Sequence, residues 1–251
     1  MPDSSYFYDR CIVCGACLEN CPVFPWMKYS GIGGSALVSE ILTALRDGVV
    51  SQIAYETILS CMGCGECASF CDKGVAPTLF SEARRVVTGK PAARPQSLAR
   101  WLPQNQYRIS AVLAALQNDP DDVRWIGRKP GNPRKTDIVL FLGCYMMAMP
   151  HVANTLLDIM DRAGIDYQAV GGEGLCCGIG NILGGDYDDA WDTTATALKL
   201  ISAFKPDTVV FECGSCYSRF LSQEKLHGGY DFKSVLHTEF LDKILPKIKF
   251  T

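Results

Sequence analysis

The chain has 251 residues, 48% of them apolar and 20% charged, with a formal net charge of −3. That composition suits one large or two ordinary globular domains and excludes extended disorder and an electrostatic nucleic-acid binder. Cysteine stands out: there are 13, an odd number in a chain too long for a small secreted disulfide scaffold, so metal or redox chemistry is the expectation. The longest near-continuous apolar stretch, Ile138 to Met149, is too short to span a bilayer as a helix. No basic segment followed by an apolar one opens the chain as a secretory signal would. The expectation is a cytoplasmic protein with no transmembrane segment, any membrane association being peripheral and through a partner.

In chain order, the first feature is a repeat. Cys11, Cys14, Cys17 and Cys21 recur 50 residues later as Cys61, Cys64, Cys67 and Cys71, within C-I-V-C-G-A-C-L-E-N-C and C-M-G-C-G-E-C-A-S-F-C. One supersecondary unit is used twice. Between the copies, Leu37, Val38, Ile41, Leu42 and Leu45 have the spacing of one buried helical face, predicting a helix over 35–47 that ends at Gly48. A second short helix is predicted over 53–60. Residues 1–89 read as one helical domain around the cysteines.

Residues 90–136 are punctuated by Pro91, Pro95, Pro103, Pro120, Pro130 and Pro133, with six Lys/Arg against three Asp/Glu over 106–136. This reads as a basic, proline-rich linker wrapping the surface, with one helical patch near 109–117. From Thr136, strand and helix alternate. Strands are predicted at 138–142, 167–170, 208–211 and 233–236, with helices at 151–163, 186–204, 217–226 and from Thr238. That order predicts a parallel sheet flanked by helices over 137–251. This half carries 9 Lys/Arg and 15 Asp/Glu, an acidic surface.

The run C-x2-C-x2-C-x3-C is the ligand run of a 4Fe–4S cluster, and in two-cluster ferredoxins the fourth cysteine serves the other cube. Three thiolates on a tight loop cap three irons, and soft thiolates suit iron bridged by sulfide. The expected sets are therefore Cys11, Cys14, Cys17 and Cys71 for one cubane, and Cys61, Cys64, Cys67 and Cys21 for the other. Zinc sites favour paired C-x2-C knuckles over such four-cysteine runs. Pro22 follows Cys21; Asp72 stands where the second copy would have its proline.

The other five cysteines follow predicted strands. Cys144 comes after 138–142, Cys176 and Cys177 lie in the glycine-rich loop after 167–170, and Cys213 and Cys216 come after 208–211. In a parallel sheet those are carboxyl ends, where ligands gather. Two adjacent cysteines suit a multi-iron object better than one compact ion. Zinc on four of the five remains an alternative. A thioredoxin-type dithiol at C-G-S-C would leave Cys144, Cys176 and Cys177 idle. Met146, Met147 and Met149 beside Cys144 read either as core filler or as an apolar substrate face.

The run C-x31-C-C-G-x34-C-x2-C resembles the cysteine-rich CCG domain of heterodisulfide reductases and related iron–sulfur oxidoreductases. The N-terminal half, including the tail C-D-K-G-V-A-P, resembles the iron–sulfur subunit of the same enzymes. The resemblance implies a helical two-cluster ferredoxin-like domain over 1–89, a linker over 90–136, and an α/β CCG domain with a mainly parallel sheet over 137–251. It implies a non-cubane 4Fe–4S cluster on Cys144, Cys176, Cys177, Cys213 and Cys216, at which disulfides are cleaved or formed. His237 matches a histidine the family often has after its last strand, a candidate proton donor to a departing thiolate. The family's disulfide-cleaving subunits usually have two CCG modules; this sequence has one, so a second CCG-bearing subunit or a homodimer is an expected partner. Flavoprotein or ferredoxin electron donors are expected too. The competing reading is an electron-transfer subunit between a flavin dehydrogenase and a quinone or other acceptor, with no substrate at the CCG site.

Overall fold

A computed structural model describes residues 5–88, 98–126, 134–183, 187–227 and 229–248. The chain forms two units. One comprises Met1–Ala93 with Ile179–Ala190, the other Arg94–Gly178 with Trp191–Thr251.

The first unit is helical, as its periodicity predicts. Its helices are α1 (Ser5–Arg10), α2 (Ala16–Glu19), α3 (Gly34–Asp47), α4 (Gln52–Leu59) and α5 (Ala76–Thr88). The apolar stripe of α3 supplies the buried Leu37, Val38, Ile41 and Leu45, which pack with Ile58 of α4 and Leu79, Phe80 and Ala83 of α5. Gly48 ends α3 in the left-handed conformation at φ 67°, where its N–H caps the Ala44 carbonyl. Ser51 starts α4, its hydroxyl accepting from Ala54 N–H at 3.1 Å. This core holds α3, α4 and α5 as a frame from which the two cysteine loops hang.

The second unit opens with α6 (Leu98–Gln117), longer than the patch predicted near 109–117. The segment expected to be a surface-wrapping linker over 90–136 thus holds a 20-residue helix. Trp125 is only 1% exposed, its backbone carbonyl accepts from Gly171 N–H at 3.2 Å, and Ile126 forms a parallel bridge to Gly171. The wide, flat indole packs where Gly171 has no side chain; a Cβ there would lie 2.6 Å from Trp125 Cε3. Burial of so large an apolar ring favours holding this segment against β2. The predicted breaks at Pro91, Pro95, Pro130 and Pro133 lie outside the described residues.

The sheet follows, as the alternating pattern predicts. In chain order come β1 (Ile138–Gly143), α7 (Pro150–Arg162), β2 (Gln168–Gly171), α8 (Ile179–Leu183, which belongs to the first unit), α9 (Tyr187–Ser202), β3 (Thr208–Phe211), α10 (Gly214–His227), β4 (Lys233–Leu236) and α11 (His237–Ile244). Strand order is β2-β1-β3-β4, and every neighbouring pair is parallel. The central strands read as near-continuous apolar runs because both faces are covered: Val139, Leu140, Phe141, Val209, Val210 and Phe211 are fully buried. Phe141, Phe211 and Phe220 cluster with ring centroids 4.9 to 5.5 Å apart. Sequence alone did not predict α8, a five-residue helix in the glycine-rich segment. Among the described residues no helix is long and apolar enough to cross a membrane.

Candidate functional site

All thirteen cysteines are free of disulfides. In the first unit the two copies of the repeat build matching loops. Gly15 and Gly65 sit at φ 81° and 80°, a left-handed geometry that glycine adopts without penalty. At Gly15 no side chain would fit: a Cβ would overlap Ser35 N and lie 2.6 Å from Gly34 C. Two residues earlier both loops again demand positive φ. The second copy has Gly63 there at 67°, the first has Val13 at 55°, a strained value for a β-branched residue. Ser35 Oγ donates to the Val13 carbonyl at 2.7 Å and helps hold it. The reward is common to both loops. The Gly63 N–H points at Cys61 Sγ, 3.4 Å away, and the Val13 N–H makes the corresponding bond to Cys11, lowering its pKa against the burial that raises it.

The structure brings the cysteines of the two copies together in crossed sets. A cavity of about 220 Å³ is lined by Cys11, Cys14, Cys17 and Cys71, with Ile12, Val38, Phe70, Val75 and Leu79 among the apolar walls. Burial pushes Cys17 up to about 12, and Cys11, Cys71 and Cys14 add repulsion between thiolates. Burial also raises Cys67, whose thiolate neighbours are Cys61, Cys17, Cys64 and Cys21. Cys71 thus stands with the first loop and Cys21 with the second, and the Cys17 thiolate acts on Cys67 as well. Thiols that repel when ionised are what a multi-iron cation site neutralises. A cavity with four thiols and apolar walls fits a 4Fe–4S cluster in size and donor softness.

The second unit carries the other five at one sheet edge. Cys144 follows β1, Cys176 and Cys177 follow β2, and Cys213 and Cys216 follow β3. All three strands are parallel, so these loops leave from their carboxyl ends. Cys144 Sγ and Cys176 Sγ are 3.5 Å apart. Hydrogen bonds from Cys144 and then Cys177 hold Cys176 well below the usual thiol range, and Gly178 N–H adds a contact at 3.4 Å. Cys213 is lowered to about 5, chiefly by the Cys216 thiol and further by the Cys216 and Ser215 backbone N–H groups at the start of α10. Cys216 is raised, being the donor to Cys177 and Cys213 and buried besides. Five thiols therefore share protons in one network. Gly143, at φ 65°, leaves the approach open: a Cβ there would lie 3.3 Å from Cys216 Sγ. Thr194 Oγ1 donates to the Cys177 carbonyl at 2.9 Å from a fully buried position and fixes the adjacent pair from behind.

His237 opens α11 directly after β4, on the same carboxyl edge. Its Nδ1 is buried with no hydrogen-bond partner, as is Glu212 Oε2. The pairing of Phe211 with Leu236 makes Glu212 and His237 the next residues on adjacent strands. Burial raises the Glu212 carboxyl, the Cys213 thiolate adds to the rise, and His237 opposes it. Met146 and Met147 are 2% exposed, which settles them as core rather than substrate face.

Sequence reasoning missed three residues. Thr194 and Glu212 give no motif, only position. Arg84 is 8% exposed and donates to the Cys61 and Leu59 carbonyls at 2.8 and 2.9 Å; nothing in its spacing from the repeat signals this return. Among the described residues, no three His, Cys, Asp or Glu side chains close on a point as a single-ion site would require.

Comparison with known proteins agrees with this layout. Residues 8–75 match the 4Fe-4S dicluster domain, and residues 138–220 match the Cysteine-rich domain, also called CCG. The chain is similar to a subunit of the dihydromethanophenazine:CoB–CoM heterodisulfide reductase of Methanosarcina acetivorans, 23% identical over 96% of this chain and 64% of the relative. It is similar to the EtfAB:quinone oxidoreductase of Syntrophomonas wolfei, 19% identical over 96% of this chain and 40% of the relative. It is also similar to a subunit of the ferredoxin:CoB-CoM heterodisulfide reductase of Methanosarcina acetivorans, 29% identical over 48% of this chain and 49% of the relative. The chain thus spans less than two thirds of each of these relatives. No solved structure matches it. The chain therefore carries a 4Fe-4S dicluster domain followed by a cysteine-rich domain and is similar to heterodisulfide reductase subunits.

Proposed function

We propose that the chain is the iron–sulfur subunit of a heterodisulfide reductase-like redox complex, carrying electrons to a site that reduces or forms a disulfide or related sulfur compound. The observation that carries this reading is the convergence of Cys144, Cys176, Cys177, Cys213 and Cys216 from three loops at one sheet edge, with Cys144 Sγ 3.5 Å from Cys176 Sγ.

Cys11, Cys14, Cys17 and Cys71 would hold one cubane, Cys61, Cys64, Cys67 and Cys21 the other, and the five CCG cysteines a non-cubane 4Fe–4S cluster. When bound, these groups supply one-electron carriage and a thiophilic centre for sulfur chemistry. The protein's own residues do the rest. Gly63 and Gly178 N–H groups aim at sulfur and favour added negative charge there. The buried Cys17, Cys144, Cys177 and Cys216 keep water from the sulfurs. His237 stands on the edge with Nδ1 unpartnered, a place to hold a proton. Cleaving a disulfide consumes two electrons and two protons and yields two thiols. The electrons come from a flavoprotein or ferredoxin partner, and one proton of the pair passes through His237. A second CCG-bearing subunit or a second copy of this chain would complete the two-electron site.

The test is iron and acid-labile sulfide per chain in anaerobically purified protein, followed by spectra with and without a disulfide. About 12 iron and about 12 sulfide, with a disulfide-dependent change in one cluster's spectrum, is the expected result. About 8 iron with one zinc would reduce the CCG site to structure and end the disulfide reading. Similarity to an EtfAB:quinone oxidoreductase favours a second reading, electron transfer between a flavin dehydrogenase and a quinone. Three clusters with no response to any disulfide would select it.

A further inference from the structure

The two cubane sites share their loops but not their surroundings, and the largest difference is one buried cation. Arg84 on α5 turns back to the second loop, where its guanidinium donates to the Cys61 carbonyl at 2.8 Å and to the Leu59 carbonyl at 2.9 Å. It is 8% exposed, and its Nε–H is buried with no acceptor. Part of this arrangement is structural, since Leu59 ends α4 and a cation suits the open carbonyls of a helix C-terminus. But two bonds leave a charge only partly satisfied, in a place water does not screen.

The charge acts on one site only. The Arg84 guanidinium is bonded to the backbone of Cys61 itself, and it does not line the cavity of Cys11, Cys14, Cys17 and Cys71. Among the residues lining that cavity the one Lys or Arg is Lys73. The other charges near the loops are solvated. Asp72 and Lys73 border the first cavity and are both exposed, with opposite signs. Glu66, between Cys64 and Cys67, is exposed as well. Charges in water at these distances are weakened by the high dielectric and by salt, and a buried one is not.

We infer that Arg84 makes the two cubane sites unequal, giving the site of Cys61, Cys64, Cys67 and Cys21 the higher reduction potential, so that an electron shared between the two rests there. The inference depends on the reading that both sets hold 4Fe–4S clusters. Reduction adds one negative charge to a cluster and breaks no bond. A fixed positive charge nearby stabilises the reduced state and hardly touches the other site. Arg84 is therefore a positioning residue for charge, with no contact to substrate.

The experiment is an anaerobic redox titration of the holoprotein, with dithionite as reductant and electron paramagnetic resonance as readout, on wild type, Arg84→Gln and Arg84→Lys. Wild type is expected to show two separate cubane waves whose spacing persists from low to high salt. In Arg84→Gln the higher wave falls toward the lower, which stays in place. The electron's preference drops at least tenfold, about 59 mV for one electron. Arg84→Lys keeps the charge and is expected to keep the wave. Movement of the lower wave, movement of neither, or a fall in Arg84→Lys equal to that in Arg84→Gln would overturn the inference. If Arg84→Gln fails to assemble, the Arg84→Lys titration and the salt series decide alone. Fewer than two cubane waves in wild type would strike the cluster reading itself, which separates the two failures.

Discussion

Gly15→Ala places one methyl group where the fold has no room for it. Two costs add. Gly15 sits at φ 81°, and an L-residue in the left-handed region costs about 1–2 kcal/mol. The new Cβ would also overlap Ser35 N and stand 2.6 Å from Gly34 C, both backbone atoms at the start of α3. Backbone cannot turn aside as a side-chain tip can, and overpacking of this kind costs about 1–3 kcal/mol more. The expected loss is about 2–5 kcal/mol. Gly48→Ala is the control. Its φ is nearly the same at 67°, but no atom lies within 4 Å of the new Cβ, so only the first cost of about 1–2 kcal/mol applies. Urea unfolding followed by circular dichroism gives both numbers, and iron counted on the same samples shows whether the first loop still assembles. Gly15→Ala should lose iron while Gly48→Ala keeps it. Equal losses in the two variants would refute the claim that contact between the first loop and α3, rather than φ alone, fixes Gly15.

The crossed sets predict phenotypes that pair across the repeat. Cys71→Ser should perturb the same spectroscopic cluster as Cys11→Ser, and Cys21→Ser the same one as Cys61→Ser; pairing within each run instead would reverse the assignment. In metal-free protein, Cys213 is lowered to about 5, so its thiolate is present above that pH and lost as pH falls through it. Its alkylation by iodoacetamide, mapped by mass spectrometry, should vary little from pH 6 to 8, whereas a thiol at the ordinary value of 9.0 would speed up about tenfold per unit. Phe220→Ala should cost about 3–5 kcal/mol in urea unfolding, since Phe220 is fully buried against Phe141 and Phe211. A loss below about 1 kcal/mol would mean that the ring cluster does not hold α10 to the sheet.

Much of this architecture was legible because its signals are local and periodic. The stripe from Leu37 to Leu45 predicts α3 almost to the residue, and the apolar runs at 138–142 and 208–211 predict the two central strands. The edge that gathers the five CCG cysteines follows from topology: if strands are parallel, whatever follows them meets at one end. What was not legible depends on the chain returning from a distance. Trp125 lies among prolines and polar residues, and only the bare surface of Gly171 makes it core. Arg84 reads as one of two arginines on a helix; its contact with Cys61 spans 23 positions and no local pattern announces it. The segment after Cys177 looked like glycine-rich loop, yet Ile179 and Leu183 form a helix whose side chains approach Gly63 at 3.0 and 3.3 Å from a notional Cβ.

If the two cysteine sets hold clusters as proposed, the duplication itself argues for asymmetry between them. Two copies of one loop would give two equal sites, and an electron moving between equal sites has no preferred direction. In this chain the ligand positions are the same in both copies, while the residues around them differ. Val13 stands where the second copy has Gly63, and Ala16 where it has Glu66. The guanidinium of Arg84 serves the Cys61 loop. Val13 and Ala16 carry no charge and Glu66 is exposed, so its charge is screened and the buried one decides. On the proposed reading, a duplicated cysteine set with an unduplicated charge is what a directional relay requires, because the ligands would fix what is carried and the surroundings where it rests.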